Sequence, residues 1–190
     1  MQTISAGKIL RLVEAARAVV FDFDGTLVDS NEIKWKGFEY AFAAYPERLS
    51  EISRFCRTEN HMIRGAKFRY VCEHILKVPY TEQLDYKFHA LYAEYTTDAV
   101  VAAPETPGGL DFVRGIRHCP VALLSSTPHE ILLEILRRRG WAAMFQYIQG
   151  APVSKREWLQ RFQESLGCSP SDIVFFGDTD EDEQIGRAHV

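Results

Sequence analysis

The segment Val19-Val20-Phe21-Asp22-Phe23-Asp24-Gly25-Thr26-Leu27 ends an apolar run with two carboxylates placed two residues apart. An apolar run closed by a glycine reads as a buried parallel strand, and side chains two apart on a strand project to one face. Asp22 and Asp24 are therefore expected in a single pocket at the carboxyl end of that strand. Carboxylates so close raise each other's pKa unless a cation is supplied. A hard divalent ion with oxygen ligands, Mg²⁺ foremost, meets that need. Gly25 lets the chain turn sharply out of the strand, and Thr26 sets a hydroxyl beside the pocket.

Three further apolar runs end in polar residues. Val121-Ala122-Leu123-Leu124 leads into Ser125-Ser126. The stretch from Phe145 to Ile148 reads as a strand followed by Gly150-Ala151-Pro152-Val153-Ser154-Lys155. Ser154 and Glu157 have capping-box spacing, so Lys155 is expected to open a helix at the same end of the sheet as the carboxylates. Ile173-Val174-Phe175-Phe176 runs straight into Gly177-Asp178-Thr179-Asp180-Glu181-Asp182. Acids at a helix N-terminus complement its dipole, which accounts for Glu181 and Glu183 but not for Asp178 at the end of a buried strand.

Taken together, these runs resemble the four motifs of the haloacid dehalogenase-like hydrolase superfamily, most of whose members are phosphatases. The resemblance implies that Asp22 is the nucleophile that forms an aspartyl phosphate and Asp24 the general acid and then base. It places Ser125, with Ser126 and Thr26 nearby, on the phosphoryl oxygens, and Lys155 as the cation that neutralises them. It further implies a Mg²⁺ site formed by Asp22, the backbone carbonyl of Asp24, and Asp178. Asp182 would bind a metal-bound water or orient Lys155. Haloacid dehalogenases of this superfamily lack the second aspartate, so Asp24 argues for phosphoryl transfer. A phosphonatase would likewise lack it and would carry a Schiff-base lysine in its cap.

The implied fold is α/β: a Rossmann-like parallel sheet flanked by helices, built from 1–30 and 104–190, with an α-helical C1 cap inserted at 31–103. Independently, strands alternate with helical patterns at Thr106 to Arg117, Thr127 to Arg139, and Ser154 to Leu166, as a parallel sheet requires. Ligands of such sheets bind at the carboxyl ends of the strands. The insertion is rich in aromatic and charged residues. It reads as helices from Glu32 to Tyr45, Leu49 to Arg57, Ala66 to Leu76, and Thr81 to Asp98. Trp35, Phe38, Tyr40 and Phe42 are expected in its core, and His74, His89 and His118 as structural or surface residues. The stretch His61-Met62-Ile63-Arg64-Gly65-Ala66-Lys67 sets cations around a glycine between two helices. Arg64 and Lys67 would meet an anionic or polyhydroxylated leaving group there, or belong to an ordinary solvated turn. A cap of this type closes over the site and excludes water, which points to small soluble substrates.

A chain of 190 residues with 46% hydrophobic content has room for one domain and a modest insertion. A net charge of −4 argues against nucleic acid as a partner. Arg137-Arg138-Arg139 before Gly140 reads as a helix C-terminus. Cys56, Cys72, Cys119 and Cys168 form no zinc pattern and read as reduced thiols of a cytoplasmic protein. The segment from Ile4 to Arg17 reads as an amphipathic helix, lacking the apolar core of a signal peptide, and no run has the length of a membrane span. The sequence ends at Val190, short of the further strand usual in the family, so the core is expected to lack an edge strand or the chain to be truncated.

The expected activity is Mg²⁺-dependent hydrolysis of a small phosphomonoester, a sugar phosphate or a phosphoglycolate-like metabolite, in the phosphoglycolate phosphatase-like branch. Two alternatives stand beside it: a phosphomutase of the β-phosphoglucomutase type, and a non-catalytic relative that binds a phosphorylated metabolite. Neither a membrane nor a nucleic acid is expected as partner, and monomer and homodimer are both open.

Overall fold

A computed structural model describes residues 6–59, 62–179 and 182. The chain divides into two compact units, one of residues 1–29 and 105–190, the other Ser30–Pro104.

The first unit is an α/β layer structure. Strands β1 (Ala18–Phe21), β2 (Val121–Pro128), β3 (Tyr147–Ala151) and β4 (Ile173–Phe176) form one parallel sheet in the order β3-β2-β1-β4. The register pairs Phe21 with Leu123 on one side and with Phe176 on the other. All four residues of β1 are buried, as expected of a central strand covered on both faces. Alternation divides the core into two layers. Ala18, Val20, Ala122, Leu124 and Phe175 pack with Leu159 and Phe162 of α8 (Lys155–Leu166). On the other face Phe21 stacks on Phe176 at 5.0 Å, and Phe112 of α6 (Gly109–Gly115) meets both rings edge-on. Helix α1 (Ala6–Ala15) precedes β1, and α7 (His129–Arg138) joins β2 to β3 and ends before Gly140, whose φ is +71°.

The connections give the sheet its switch point. The chain steps from β1 outward to β2 and β3, then returns to the opposite side of β1 to add β4. Ligands of open α/β sheets bind at the carboxyl ends of strands where the winding reverses. Here that point lies between β1 and β4, the strands followed by Asp22 and Asp178.

The second unit is helical: α2 (Asn31–Ala41), α3 (Leu49–Thr58), α4 (Arg64–Tyr70) and α5 (Glu82–Ala102). Its core joins Phe38, Phe42, Ile52, Phe68, Phe88 and Tyr92. A Cβ on Gly37 would lie 2.5 Å from Cγ2 of Thr96, so the glycine sets how closely α2 and α5 approach. The helix expected from Ala66 to Leu76 is two pieces, α4 and a π-helical turn at Val71–Leu76 that ends at Lys77 with φ +58°. Helix α2 stops at Ala41, short of Tyr45, whereas α5 runs past Asp98 to Ala102. Trp35 and Tyr40 differ from expectation. Tyr40 is 38% exposed, stacks on Tyr95 and donates to Glu94, while Trp35 is half-buried beneath the Arg57 guanidinium. Both have polar partners at the surface, and only Phe38 and Phe42 of that group are core. His74 stacks on Tyr70, His89 lies against Phe68 and Asp85, and His118 bonds the Val13 carbonyl. Among the described residues no helix is long and apolar enough to cross a membrane.

Candidate active site

β1 ends at Phe21, and the acid pair stands in the turn beyond it rather than on the strand itself. The Asp22 N–H still donates to Phe176 O at 2.8 Å, extending the β1–β4 ladder by one step and fixing where the turn begins. Gly25, at φ +80°, then reverses the chain, with its N–H on Val28 O and the Leu27 N–H on Phe23 O. Asp22 is 5% exposed, and its Oδ1 accepts the Phe23 N–H at 2.7 Å. Thr26 lies on the same turn, and its hydroxyl oxygen is buried with no hydrogen-bond partner among the described residues.

Lys155 comes from the far side of the sheet. Ser154 caps α8 by accepting the Glu157 N–H at 3.2 Å, so Lys155 is the first helical residue, as the capping pattern indicates. Its Nζ, on a side chain 6% exposed, lies 3.0 Å from Asp22 Oδ2 and 2.7 Å from Asp182 Oδ1. Asp182 Oδ2 accepts from Thr179, through the hydroxyl at 2.6 Å and the N–H at 3.2 Å. Gly177 makes room for this arrangement, because a Cβ there would lie 2.4 Å from the Asp182 side chain.

Carboxylate oxygens of Asp22, Asp178 and Asp182 lie within 4.8 Å of one another. Asp22 and Asp182 are buried and Asp178 is exposed, so the cluster opens on one side. Among the described residues, Lys155 is the ammonium that meets Asp22 and Asp182. Burial raises the Asp22 carboxyl to about 7, against the opposing pull of Lys155, with Asp182 and Asp24 adding to the rise. Burial also works to lower the Lys155 ammonium, but Asp22 and Asp182 outweigh it and hold it above the ordinary lysine range. Hard oxygen donors with excess negative charge fit a small divalent cation.

β2 continues beyond Leu124 to Pro128, which carries Ser125 and Thr127 on one face and turns Ser126 outward to solvent. Asp24 Oδ2 accepts from Thr127 Oγ1 at 2.9 Å and from Ser125 Oγ at 3.4 Å. Asp22, Asp24, Ser125, Lys155, Asp178 and Asp182 thus converge at the carboxyl ends of β1, β2 and β4. Arg64 and Lys67 belong to the helical unit, on the first turns of α4. Arg64 lies over the Tyr92 ring at 4.1 Å. Lys67 is buried and donates to the Cys56 carbonyl at 2.8 Å, with its ammonium held below the ordinary range by burial. His61, Asp180, Glu181 and Glu183 lie outside the described residues.

Thr127, expected to open the helix that runs to Arg139, instead lies in β2 while the helix begins at His129, and sequence reasoning assigned no role to Thr179 or Gly177. Thr127 follows Ser125 at strand spacing, and Thr179 precedes Asp182 at the three-residue spacing of a side-chain cap, so both signals were there to be read.

The haloacid dehalogenase-like hydrolase family model matches residues 16–189. No curated protein matches the chain. A predicted phosphoglycolate phosphatase of Haemophilus somnus superposes with a TM-score of 0.69 at 16% identity, covering 92% of this chain and 82% of its own. The CbbY protein of Rhodobacter sphaeroides, in complex with xylulose 1,5-bisphosphate, gives 0.69 at 18% identity, covering 92% and 83%. A haloacid dehalogenase-like family hydrolase of Streptococcus pneumoniae gives 0.66 at 18% identity, covering 93% and 82%. At such identities the superpositions show a common fold.

Proposed function

The chain belongs to the haloacid dehalogenase-like hydrolases, and on that premise we propose that it is a Mg²⁺-dependent phosphatase of small phosphomonoesters, working through an aspartyl phosphate on Asp22. The observation that carries this reading is Lys155, buried between Asp22 and Asp182 at the switch point of the sheet. A lysine so held offers a fixed positive charge to phosphoryl oxygens, with no reorganisation at the moment of reaction.

In the first step an Asp22 carboxylate oxygen bonds to phosphorus as the bond to the leaving oxygen breaks, and Asp24 gives that oxygen a proton. In the second, water bonds to phosphorus, the Asp22–phosphorus bond breaks, and Asp24 takes the proton from water. Ser125 and Lys155 hold the phosphoryl oxygens. The buried Thr26 hydroxyl, without a partner among the described residues, is a further donor on the turn after β1, whereas Ser126, turned outward on β2, stands apart from them. Mg²⁺, held by Asp22, the Asp24 backbone carbonyl and Asp178, would neutralise phosphoryl charge that a single lysine leaves uncompensated. Both oxygens of Asp182 have protein donors, which favours orientation of Lys155 as its task.

The helical unit is assigned to substrate choice, and Arg64 is the cation it offers for an anionic or polyhydroxylated leaving group. The sugar bisphosphate held by the Rhodobacter neighbour favours sugar phosphates among the substrates to test. Phosphate release from p-nitrophenyl phosphate, with and without Mg²⁺, for the intact protein and Asp22→Asn, tests the reading. Metal-dependent release that vanishes in the variant is expected. Release that survives in Asp22→Asn would remove the covalent route, and no release from folded, metal-loaded protein would count against the phosphatase.

A further inference from the structure

We propose that Thr127 is a positioning residue that fixes the carboxyl of Asp24 in one orientation toward the leaving oxygen; this rests on the phosphatase reading above. Asp24 is half-buried on the turn after β1, and a carboxyl at such a place can rotate unless a partner holds it. An acid that must deliver a proton to one oxygen loses rate when it samples other orientations. Two hydroxyls from β2 reach Asp24 Oδ2, and they are not equivalent. Thr127 Oγ1 donates at 2.9 Å, within the ordinary range for such bonds, whereas Ser125 Oγ stands at 3.4 Å. Ser125 Oγ is also the acceptor of the Thr127 N–H at 3.0 Å.

Thr127 is well made for this task. It is 3% exposed, and its β-branched side chain has few rotamers to choose from. Its backbone is pressed from the neighbouring strand at Gly150, where a Cβ would lie 2.4 Å from the Thr127 carbonyl oxygen. The Gly150 N–H in turn donates to His129 Nδ1 at 3.2 Å, and Pro128 pairs with Ala151. Thr127 lies in the irregular stretch between the Leu124–Gln149 and Pro128–Ala151 pairs, so the hydroxyl that meets Asp24 is bounded on both sides by the sheet rather than carried on a free loop.

The test compares Thr127→Val and Thr127→Ser with the intact enzyme on p-nitrophenyl and phenyl phosphate, two esters of similar shape whose leaving groups differ in their need for a proton. The ratio kcat/KM reports the step that breaks the ester bond. In Thr127→Val it should fall about ten-fold more for phenyl than for p-nitrophenyl phosphate, a part of the whole worth of an acid–base group. Thr127→Ser should restore most of the difference, and a crystal structure of Thr127→Val should show Asp24 displaced or in more than one orientation. Equal losses on both esters, or no loss, would overturn the proposal by leaving Thr127 a packing residue. Should the intact protein release phosphate from neither ester, the phosphatase reading falls. The Thr127→Val structure then decides alone: an unmoved Asp24 overturns the hold of Thr127 on it, and a displaced one sustains that hold.

Discussion

The two units treat buried charge in opposite ways. In the α/β unit Asp22 and Asp182 are buried around a single ammonium with Asp24 and Asp178 close by, and Asp22 is driven up to about 7. In the helical unit the buried cation Lys67 donates to the Cys56 carbonyl and lies near the Phe38 ring. The first gathers carboxylates around an ammonium that they raise, and the second holds an ammonium that burial lowers against one carbonyl and a ring. Uncompensated buried charge costs stability, so it persists where a ligand is to supply what is missing. On the phosphatase reading proposed above, the reacting groups belong to the α/β unit and the interior of the helical unit serves stability.

Lys155→Met is the severest way to break this contrast. It leaves Asp22 and Asp182 buried without their cation, and removing one partner of a buried pair costs about 3–5 kcal/mol. Loss of a preorganised charge on the phosphoryl group should lower kcat/KM by about 10²–10³-fold. Chemical denaturation and steady-state kinetics read the two effects. A variant as stable and active as the intact protein would show that the cluster is not organised around this lysine.

The next effect is one of pH. The folded Asp22 carboxyl, at about 7, lies above the 3.8 of an unperturbed aspartate, because burial and the neighbouring carboxylates outweigh Lys155. A raised acid favours folding while protonated: its contribution is complete below 3.8 and is lost as pH rises through about 7. At about 1.4 kcal/mol per pH unit, the metal-free protein loses at most about 4 kcal/mol from this group across that window. Urea unfolding of intact protein and Asp22→Asn at about pH 5 and about pH 8 measures it as a difference between the two. The intact protein should weaken more on going to high pH, and saturating Mg²⁺ should erase the excess. Parallel changes in both proteins would place Asp22 in the ordinary range.

The α/β unit was also the more legible in sequence, for a physical reason. β1, the first half of β2 and β4 are short apolar runs, and residues such as Gly25, Ser125 and Asp178 after them differ sharply from the run, whereas β3, Tyr147–Ala151, is mixed in character and begins two residues later than the Phe145 expected. Such contrasts survive in one dimension. The acid pair was read one step too far into the strand, because only the reversal at Gly25 shows where the ladder ends. In the helical unit the periodicity gave helices but not their interruptions. The π-helical turn at Val71–Leu76 has no Pro or Gly to announce it, and whether Lys67 points inward depends on the Cys56 carbonyl eleven residues away. Thr127 and Thr179 were obscured by their ordinary character: hydroxyls near strand ends are common, and only three dimensions show which carboxylate they meet.

Adding one methyl group at a glycine in each unit sharpens the comparison at smaller amplitude. In Gly37→Ala the new Cβ would lie 2.5 Å from Cγ2 of Thr96, forcing α2 and α5 apart at a cost of about 1–3 kcal/mol. Activity per folded molecule should hold. In Gly177→Ala the Cβ would lie 2.4 Å from the Asp182 side chain, which must move and release Lys155. Activity should fall by more than the change in stability explains. Thermal unfolding beside kcat separates the two, and a reversed pattern would undo the division of labour.

The smallest expected effect bears hardest on the division itself. Lys67 stands two residues after a glycine in the sequence, where a cation could be held out to substrate, yet it is 5% exposed and donates inward to Cys56. Lys67→Met keeps the length and most of the volume of the side chain while removing a buried charge and leaving one carbonyl without its donor. The orphaned carbonyl costs about 1–3 kcal/mol and relief of the buried charge offsets most of it, so stability should change by less than about 1.5 kcal/mol. If the interior of the helical unit serves stability alone, kcat/KM for phosphorylated metabolites will be unchanged, while Arg64→Met will raise KM for those with anionic or polyhydroxylated leaving groups. A raised KM in Lys67→Met at unchanged stability would instead mean that this ammonium leaves the Cys56 carbonyl to meet the substrate, and that charge in both units serves the reaction.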